Sequence, residues 1–495
     1  MSTSSLIAVG QNYVDGLWQA PLSGETFSRR CPLDHCTLGP YADAGAADIG
    51  AVVGAATAAA PAWGRRAPSE RAAVLHRMAA VIDKHAAELA EAMTREEGKR
   101  LSEALGETSY AISLLRYFAG FILSEEGTVV PGSEPGAINL YRNRPLGPVA
   151  LITPWNFPLL VPMRKMAPAL AFGNTVVWKP ASDSPETAVL LLRLLDDEAD
   201  LPAGLINLVT GRGGVAGEAL VRHPGLRAVS FTGSTAVGRR IQRGGFDRDE
   251  PIRVQAEMGG KNVLIVTDDA DVPFAARVAL DGVMKGSGQR CTATGLVLVQ
   301  EPAAAAFLDE TAGRLRALRV GPGADSQTDV TPLVSREQLQ RAREIVDGSL
   351  ALGLEVVAQA PIPGTPGWYL APSLVSGATD AMPVVSQEIF APVLPVATYR
   401  TDSEAVARVN ALPYGLSASI VTSNVARALR FVDTIQAGVV KVNQETGSSE
   451  PNFPFGGWKG SGYGPMEQGP AAVHFYTEEQ TVHLVPGPRP SGEET

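Results

Sequence analysis

The sequence predicts an α/β protein built from two doubly wound parallel sheets and a separate β-ribbon, and three observations carry this. Short apolar runs of strand length recur along the chain, each followed by an amphipathic segment of helix length, the alternation of a parallel sheet covered on both faces. The series stops and restarts, so two such sheets are expected. Ahead of the first series stands an alternating stretch, AINLYRNR, set apart by proline and glycine.

From about Ala46 to Leu123 the chain is alanine-rich with apolar residues at helical spacing (AAVLHRMAAVIDKHAAELAEAM), and Pro61 and Pro68 are expected to break it into two or three long helices. Residues Val129 to Pro145 change period and read as a ribbon at the solvent edge. The first sheet follows as VALIT (149–153), TVVWK (175–179), INLVT (206–210) and AVSFTG (228–233). The second runs from NVLIVTD (262–268) through LVLVQ (296–300) to SASIVTS (417–423) and VVKVN (439–443). The stretch HFYTEEQTVHLV regains strand character, which suits pairing with the ribbon, and the Pro/Gly/Glu-rich end is expected to be disordered.

Among 495 residues 45% are hydrophobic and 19% charged, a balance that supports large buried cores. A formal net charge of −10 offers nothing to nucleic acid or an anionic membrane, so a small molecule is the expected partner. The chain begins without a basic segment followed by a sustained apolar run, and no stretch reaches about 18 uninterrupted apolar residues, so a cytoplasmic location is expected. Three cysteines give no disulfide framework. Cys31 and Cys36, separated by four residues around His35, lack a second ligand pair, and no metal site is expected there.

Ligands of open α/β sheets lie beyond the carboxyl ends of the strands, so the loops after those strands hold the candidate residues. In PWNFP, Pro154 and Pro158 stiffen a turn, Trp155 and Phe157 can wall a pocket, and Asn156 offers an amide donor. In WKPAS, Lys179 can meet ribose or phosphate oxygens, although a lone lysine there is often simply solvated. In FTGSTAVG, Gly233 and Ser234 open a helix whose free N–H groups suit a phosphate, yet neither the P-loop nor the G-x-G-x-x-G spacing is met. Glu257 precedes two glycines in AEMGGKN and reads as a general base or as a surface cap. Cys291 follows 34 residues later among Gly288, Arg290 and Thr292, where positive charge favours a nucleophilic thiolate over a packing cysteine. QEIFAP couples Glu388 to Phe390, and NFPFGGWKGSGYG suits a pocket lid.

PWNFP, FTGSTAVG, EMGGKN, GQRC, EIF and PFGG, in this order and at this spacing, resemble the aldehyde dehydrogenase superfamily along nearly the whole chain. The resemblance implies a dinucleotide-binding domain of atypical Rossmann topology over 1–124 and 146–255 and a catalytic domain over 256–445. It adds an oligomerisation arm over 125–145 and 470–495 and a lid loop with return segment over 446–469, in homodimers or homotetramers. It implies NAD or NADP as cofactor and an aldehyde as substrate. By the same resemblance the Cys291 thiolate attacks the aldehyde, the Asn156 amide and the Cys291 N–H hold the oxyanion, Glu257 activates water, and Lys165 and Glu467 form a proton path. Cofactor contacts are carried over to Thr153, Pro154, Trp155, Lys179, Ser182, Phe231, Gly233, Ser234, Gly238, Glu388 and Phe390.

The departures are informative. Many NAD-preferring members place a glutamate where Ser182 stands; a serine does not repel a 2′-phosphate, so NADP is expected to be accepted. Ala391 replaces the usual glycine after Phe390. Arg164, eight residues after Asn156, is expected to face the aldehyde tunnel together with Phe157 and Phe455, where its guanidinium would grip a carboxylate. That points to a small acidic semialdehyde, as in 2-oxoglutarate or succinate semialdehyde dehydrogenases. Relatives acting on aromatic or hydroxy aldehydes also carry arginine here, and a salt bridge to a neighbouring helix is the plain structural alternative. A CoA-acylating enzyme is disfavoured because that branch lacks the water-activating glutamate. A non-catalytic binding protein is disfavoured by intact Cys291, Glu257 and Asn156, and a cofactor-free cysteine hydrolase by the absence of a flanking histidine.

Overall fold

Helices Ala46–Gly64, Pro68–Lys84, Ala86–Glu97 and Leu101–Phe121 lead into the first sheet. The sequence suggested two or three, divided at prolines. Pro61 instead lies inside the first helix near its end, and Pro68 opens the second, where its missing N–H would have been unpaired in any case. The later breaks fall at His85 and at Gly98, whose left-handed φ of 80° ends the third helix. Ala46–Gly64 has the length and composition to cross a membrane, but it packs Ile49, Val52, Val53 and Ala56 into the core beside the first sheet. The computed structural model describes residues 10–124, 127–134, 136–447 and 449–485, so the Pro/Gly/Glu-rich end lies outside the described residues.

Five parallel strands form the centre of the first sheet, in the order Ile206–Leu208, Thr175–Lys179, Pro148–Ile152, Ala228–Gly233 and Arg253–Met258. Antiparallel strands close both edges. The central strands are buried runs of β-branched and aliphatic residues because helices cover both faces. Arg253–Met258 continues two residues and more past 255, so Glu257 is carried by this sheet rather than by the second lobe.

The second sheet has seven strands, in the order Glu355–Gln359, Ser373–Ser376, Val393–Tyr399, Thr294–Gln300, Asn262–Val266, Ser417–Val421 and Val439–Val442, all parallel except the first. Side-chain caps fix several of its helices: Asp271, Ser335, Thr401 and Asn424 each accept an N–H of the following helix. The ribbon strand Ile138–Pro145 pairs on one side with Gly127–Val130 and on the other with Thr477–Leu484.

Candidate active site

Strand order in the first sheet reverses at Pro148–Ile152 and Ala228–Gly233, and the crevice outside their carboxyl ends is where an open sheet takes its ligand. The turn holding Asn156 leaves the first strand and Ser234 follows the second. Ser234 caps helix Thr235–Phe246 by accepting the Val237 N–H at 3.4 Å, so the positive end of that helix opens on the crevice. The approach is close: a Cβ on Gly238 would stand 2.5 Å from Met258 Sδ, and one on Gly233 2.6 Å from the Phe231 ring. Phe231 is therefore buried beneath the site and does not line it.

Strand register sets Glu257 beside Thr232. The carboxylate is buried and its Oε1 has no hydrogen-bond partner among the described residues. Burial above all, then the charge of Glu467, pushes its pKa up to about 8, against the pull of Arg164 and Lys165.

Cys291 enters from the second lobe, on the loop that precedes strand Thr294–Gln300. Three successive residues turn that loop through left-handed backbone, Gly286, Ser287 and Gly288 at φ 60°, 54° and 74°. Ser287 is held there because its hydroxyl accepts the Thr331 N–H at 2.8 Å. Beyond the turn, Asn262 Nδ2 donates to the carbonyls of Cys291 and Ala293, each at 2.8 Å. One cleft of about 630 Å³ brings together Cys291, Glu257, Asn156, Trp155, Phe157, Pro154, Gly233, Ser234, Glu388 and Phe390. The expected thiolate-favouring field is not what surrounds the sulfur. Arg290 spends its guanidinium on Glu445 and the Gly282 carbonyl, both at 2.8 Å, while burial and the charge of Glu257 drive the thiol pKa well above its usual value.

Asn156 Nδ2 donates to the Gln289 carbonyl at 2.8 Å, which orients the amide and leaves its second hydrogen for the cleft. The Asn156 backbone is itself anchored: Lys99 Nζ donates to its carbonyl at 2.8 Å and pairs with Glu107, whose Oε1 accepts the Leu159 and Leu160 N–H groups at 2.9 Å. Sequence reasoning missed this buried pair, since EEGKR reads as a solvated helix end. It also missed Asn262, Gln289, and Gln338 and Arg341, which line the cleft from helix Arg336–Leu350.

Behind the cleft, helix Leu160–Ala171 buries Arg164 and Lys165. The Arg164 guanidinium lies 4.2 Å from the centre of the Phe455 ring, its Nε has no hydrogen-bond partner, and it makes no ion pair among the described residues. The helix salt bridge considered above is thus not formed. Lys165 pairs with Glu467 and donates to Ser230 Oγ at 3.0 Å, and the backbones of Phe455 and Glu467 exchange hydrogen bonds at 2.7 Å.

The remaining candidates divide. Glu388 accepts the Gly260 N–H at 3.2 Å, with burial pushing its carboxyl up to about 7, and Phe390, at φ 55°, stands edge-on to Trp155 at 5.5 Å. Thr153 accepts from Trp178 Nε1 at 2.9 Å and does not line the cleft; its hydroxyl is committed to holding the strand end. Lys179 and Ser182 lie outside the Cys291 cleft, and Lys179 packs against Gly217. Beside Gly217 opens an apolar groove of Ile152, Val221, Val237 and Ile241, missed from the sequence. Cleft and groove flank the start of helix Thr235–Phe246. A polar-ended cleft, a helix N-terminus and a flat apolar slot form a cradle that fits a dinucleotide, and the Lys179 ammonium, which donates to the Pro180 carbonyl at 3.0 Å and makes no ion pair among the described residues, is placed to meet its ribose oxygens.

The model of the aldehyde dehydrogenase family matches residues 18–482. The chain is 38% identical over 482 residues to an alpha-ketoglutaric semialdehyde dehydrogenase of Bacillus subtilis, covering 96% of this chain and 98% of that one. It is 39% identical over 480 residues to an alpha-ketoglutarate semialdehyde dehydrogenase of Haloferax volcanii, with the same coverage. Among solved structures, PnpE in complex with nicotinamide adenine dinucleotide superimposes with a TM-score of 0.92 at 34% identity, covering 96% of this chain and 98% of that one.

Proposed function

Because this chain belongs to the aldehyde dehydrogenase family, we propose that it oxidises a small acidic semialdehyde to the corresponding dicarboxylate with NAD(P). The observation that carries the substrate class is Arg164, a buried cation behind the Cys291 cleft that makes no ion pair among the described residues. Such a charge is costly until a ligand pairs with it, and a guanidinium meets a carboxylate through two parallel hydrogen bonds. Phe157 and Phe455 wall the short apolar stem between carboxylate and aldehyde.

The Cys291 sulfur, once deprotonated, bonds to the aldehyde carbon, and the carbonyl electrons move onto oxygen. The free hydrogen of the Asn156 amide and the Cys291 N–H meet that oxyanion. A bound dinucleotide would supply the hydride acceptor through which the thiohemiacetal on Cys291 becomes a thioester. Lys179, Ser182, Gly233, Ser234 and Glu388 are the residues that would hold it. Glu257 takes a proton from water as its oxygen adds to the thioester carbon, and the C–S bond breaks to release the acid. The Lys165–Glu467 pair, fully buried and close enough to shift the Glu257 carboxyl, is placed to carry that proton away. Exposed Val129, Ile138 and Leu484 on the ribbon support its use as an arm between subunits of a homodimer or homotetramer.

The test compares kcat/KM for acidic semialdehydes and for neutral or aromatic aldehydes of similar length, on the parent and on Arg164→Ala. A loss of about 10–100-fold confined to the acidic substrates is expected. Equal loss on all of them discards the clamp, and a parent that prefers aromatic aldehydes discards the substrate class.

A further inference from the structure

The hairpin joining strands Thr26–Arg30 and Thr37–Ala42 turns through CPLDHC, residues 31–36, which no step of aldehyde oxidation uses. Its tip is closed by Cys31 N–H to the Cys36 carbonyl at 2.9 Å and His35 N–H to the Cys31 carbonyl at 3.0 Å, with His35 at φ 61°. This closure gathers Cys31 Sγ, an Asp34 carboxylate oxygen and Cys36 Sγ within 4.8 Å of one another. Both thiols are free. Asp34 Oδ1 accepts the Cys36 N–H at 3.0 Å, which holds the carboxylate at the turn. Cys31 is buried, whereas Asp34 and Cys36 are exposed, so the triad is anchored at one corner and open to entry at the other two.

We propose that Cys31, Asp34 and Cys36 bind one thiophilic divalent metal ion of the Zn²⁺ type, with water in the fourth position. Tetrahedral Zn–S bonds of about 2.3 Å hold two sulfurs about 3.8 Å apart, a spacing compatible with donor atoms that lie within 4.8 Å of one another. The ion replaces two thiol protons: M²⁺ and two S–H groups give two metal–sulfur bonds and two released H⁺, and the Asp34 carboxylate, as third protein donor, leaves the loaded site with one net negative charge. His35 is otherwise engaged: its ring stacks on Trp368 at 4.9 Å, and the Trp368 N–H donates to the Pro32 carbonyl at 3.1 Å. The same six residues therefore dock the N-terminal hairpin on the second lobe, and metal at the tip stiffens that joint.

Reduced full-length enzyme titrated with Co²⁺ alone, under nitrogen, tests this. One equivalent per chain is expected to develop thiolate-to-cobalt absorption that Zn²⁺ displaces. Cys36→Ser should lose the band while keeping dehydrogenase activity, and Cys291→Ser should keep the band. Zn²⁺ should raise the Tm of the parent and leave that of Cys36→Ser unmoved. No thiolate band, a band that survives Cys36→Ser, or one that disappears with Cys291→Ser overturns the proposal.

Discussion

Glu257 is set by the hydrogen-bonded strands of the first sheet and Asn156 by the short turn that leaves it, whereas Cys291 stands ahead of its strand on a loop with three successive residues at positive φ. The two walls of the cleft are therefore held by different means. Sheet register leaves the carboxylate no freedom along the strand, and the amide is clamped by Lys99 on its backbone carbonyl and by the Gln289 carbonyl on its side chain. The thiol is positioned by point contacts, Asn262 on its carbonyl and Ser287 on Thr331, so its wall is the one a single substitution can misalign. A stationary donor and base facing an adjustable nucleophile is an arrangement in which transition-state stabilisation is prepaid by the sheet.

If the sheet-borne wall supplies the oxyanion site, Asn156→Ala should lower kcat by about 10²–10³ while leaving the KM for dinucleotide nearly unchanged. A loss of less than tenfold in steady-state kinetics would place the stabilising donors on the thiol's own loop. The next effect is a pH dependence. Glu257 is neutral in the fold until pH approaches about 8, and only its carboxylate can take the proton of the attacking water. The hydrolytic step should therefore accelerate with rising pH, about tenfold per unit below that value, and level off above it. A profile measured under thioester-limited conditions that is flat between pH 6 and 8 would show that Glu257 is not the base. The smallest effect concerns the far end of the cradle. Ser182→Glu should shift the ratio of kcat/KM for NADP to that for NAD about tenfold toward NAD, since a carboxylate repels a 2′-phosphate. An unchanged ratio would remove Ser182 from cofactor selection.

The comparison also explains what the sequence exposed and what it hid. Residues at strand ends were legible because a strand followed by Pro, Gly or Ser marks its own carboxyl end, which is where Asn156, Gly233 and Glu257 stand. The loop of Cys291 was found through its composition, but its electrostatics were misjudged: an arginine next in sequence pairs with Glu445, 155 residues away, so its charge is answered elsewhere. Lys99 and Glu107 carried no signal, because charged residues on a helix look solvated until the fold buries them against the Asn156 turn. Phe231 and Thr153, adjacent to the site in sequence, do not line it: the Phe231 ring is buried against Gly233, and the Thr153 hydroxyl is taken up by Trp178. Helix boundaries suffered likewise from reading prolines as breaks where one was tolerated near a helix end and another began a helix.

Acylated Cys291 depends on Glu257 for its deacylation. Single-turnover mixing of Glu257→Gln with NAD(P) and an acidic semialdehyde tests it most directly, with Cys291→Ser as control. The account predicts a burst of reduced dinucleotide of one per active chain, followed by almost no turnover, with the acyl group retained on Cys291, and no burst from the control. Steady turnover by Glu257→Gln at the parent rate, or a burst that persists without the Cys291 sulfur, would contradict it.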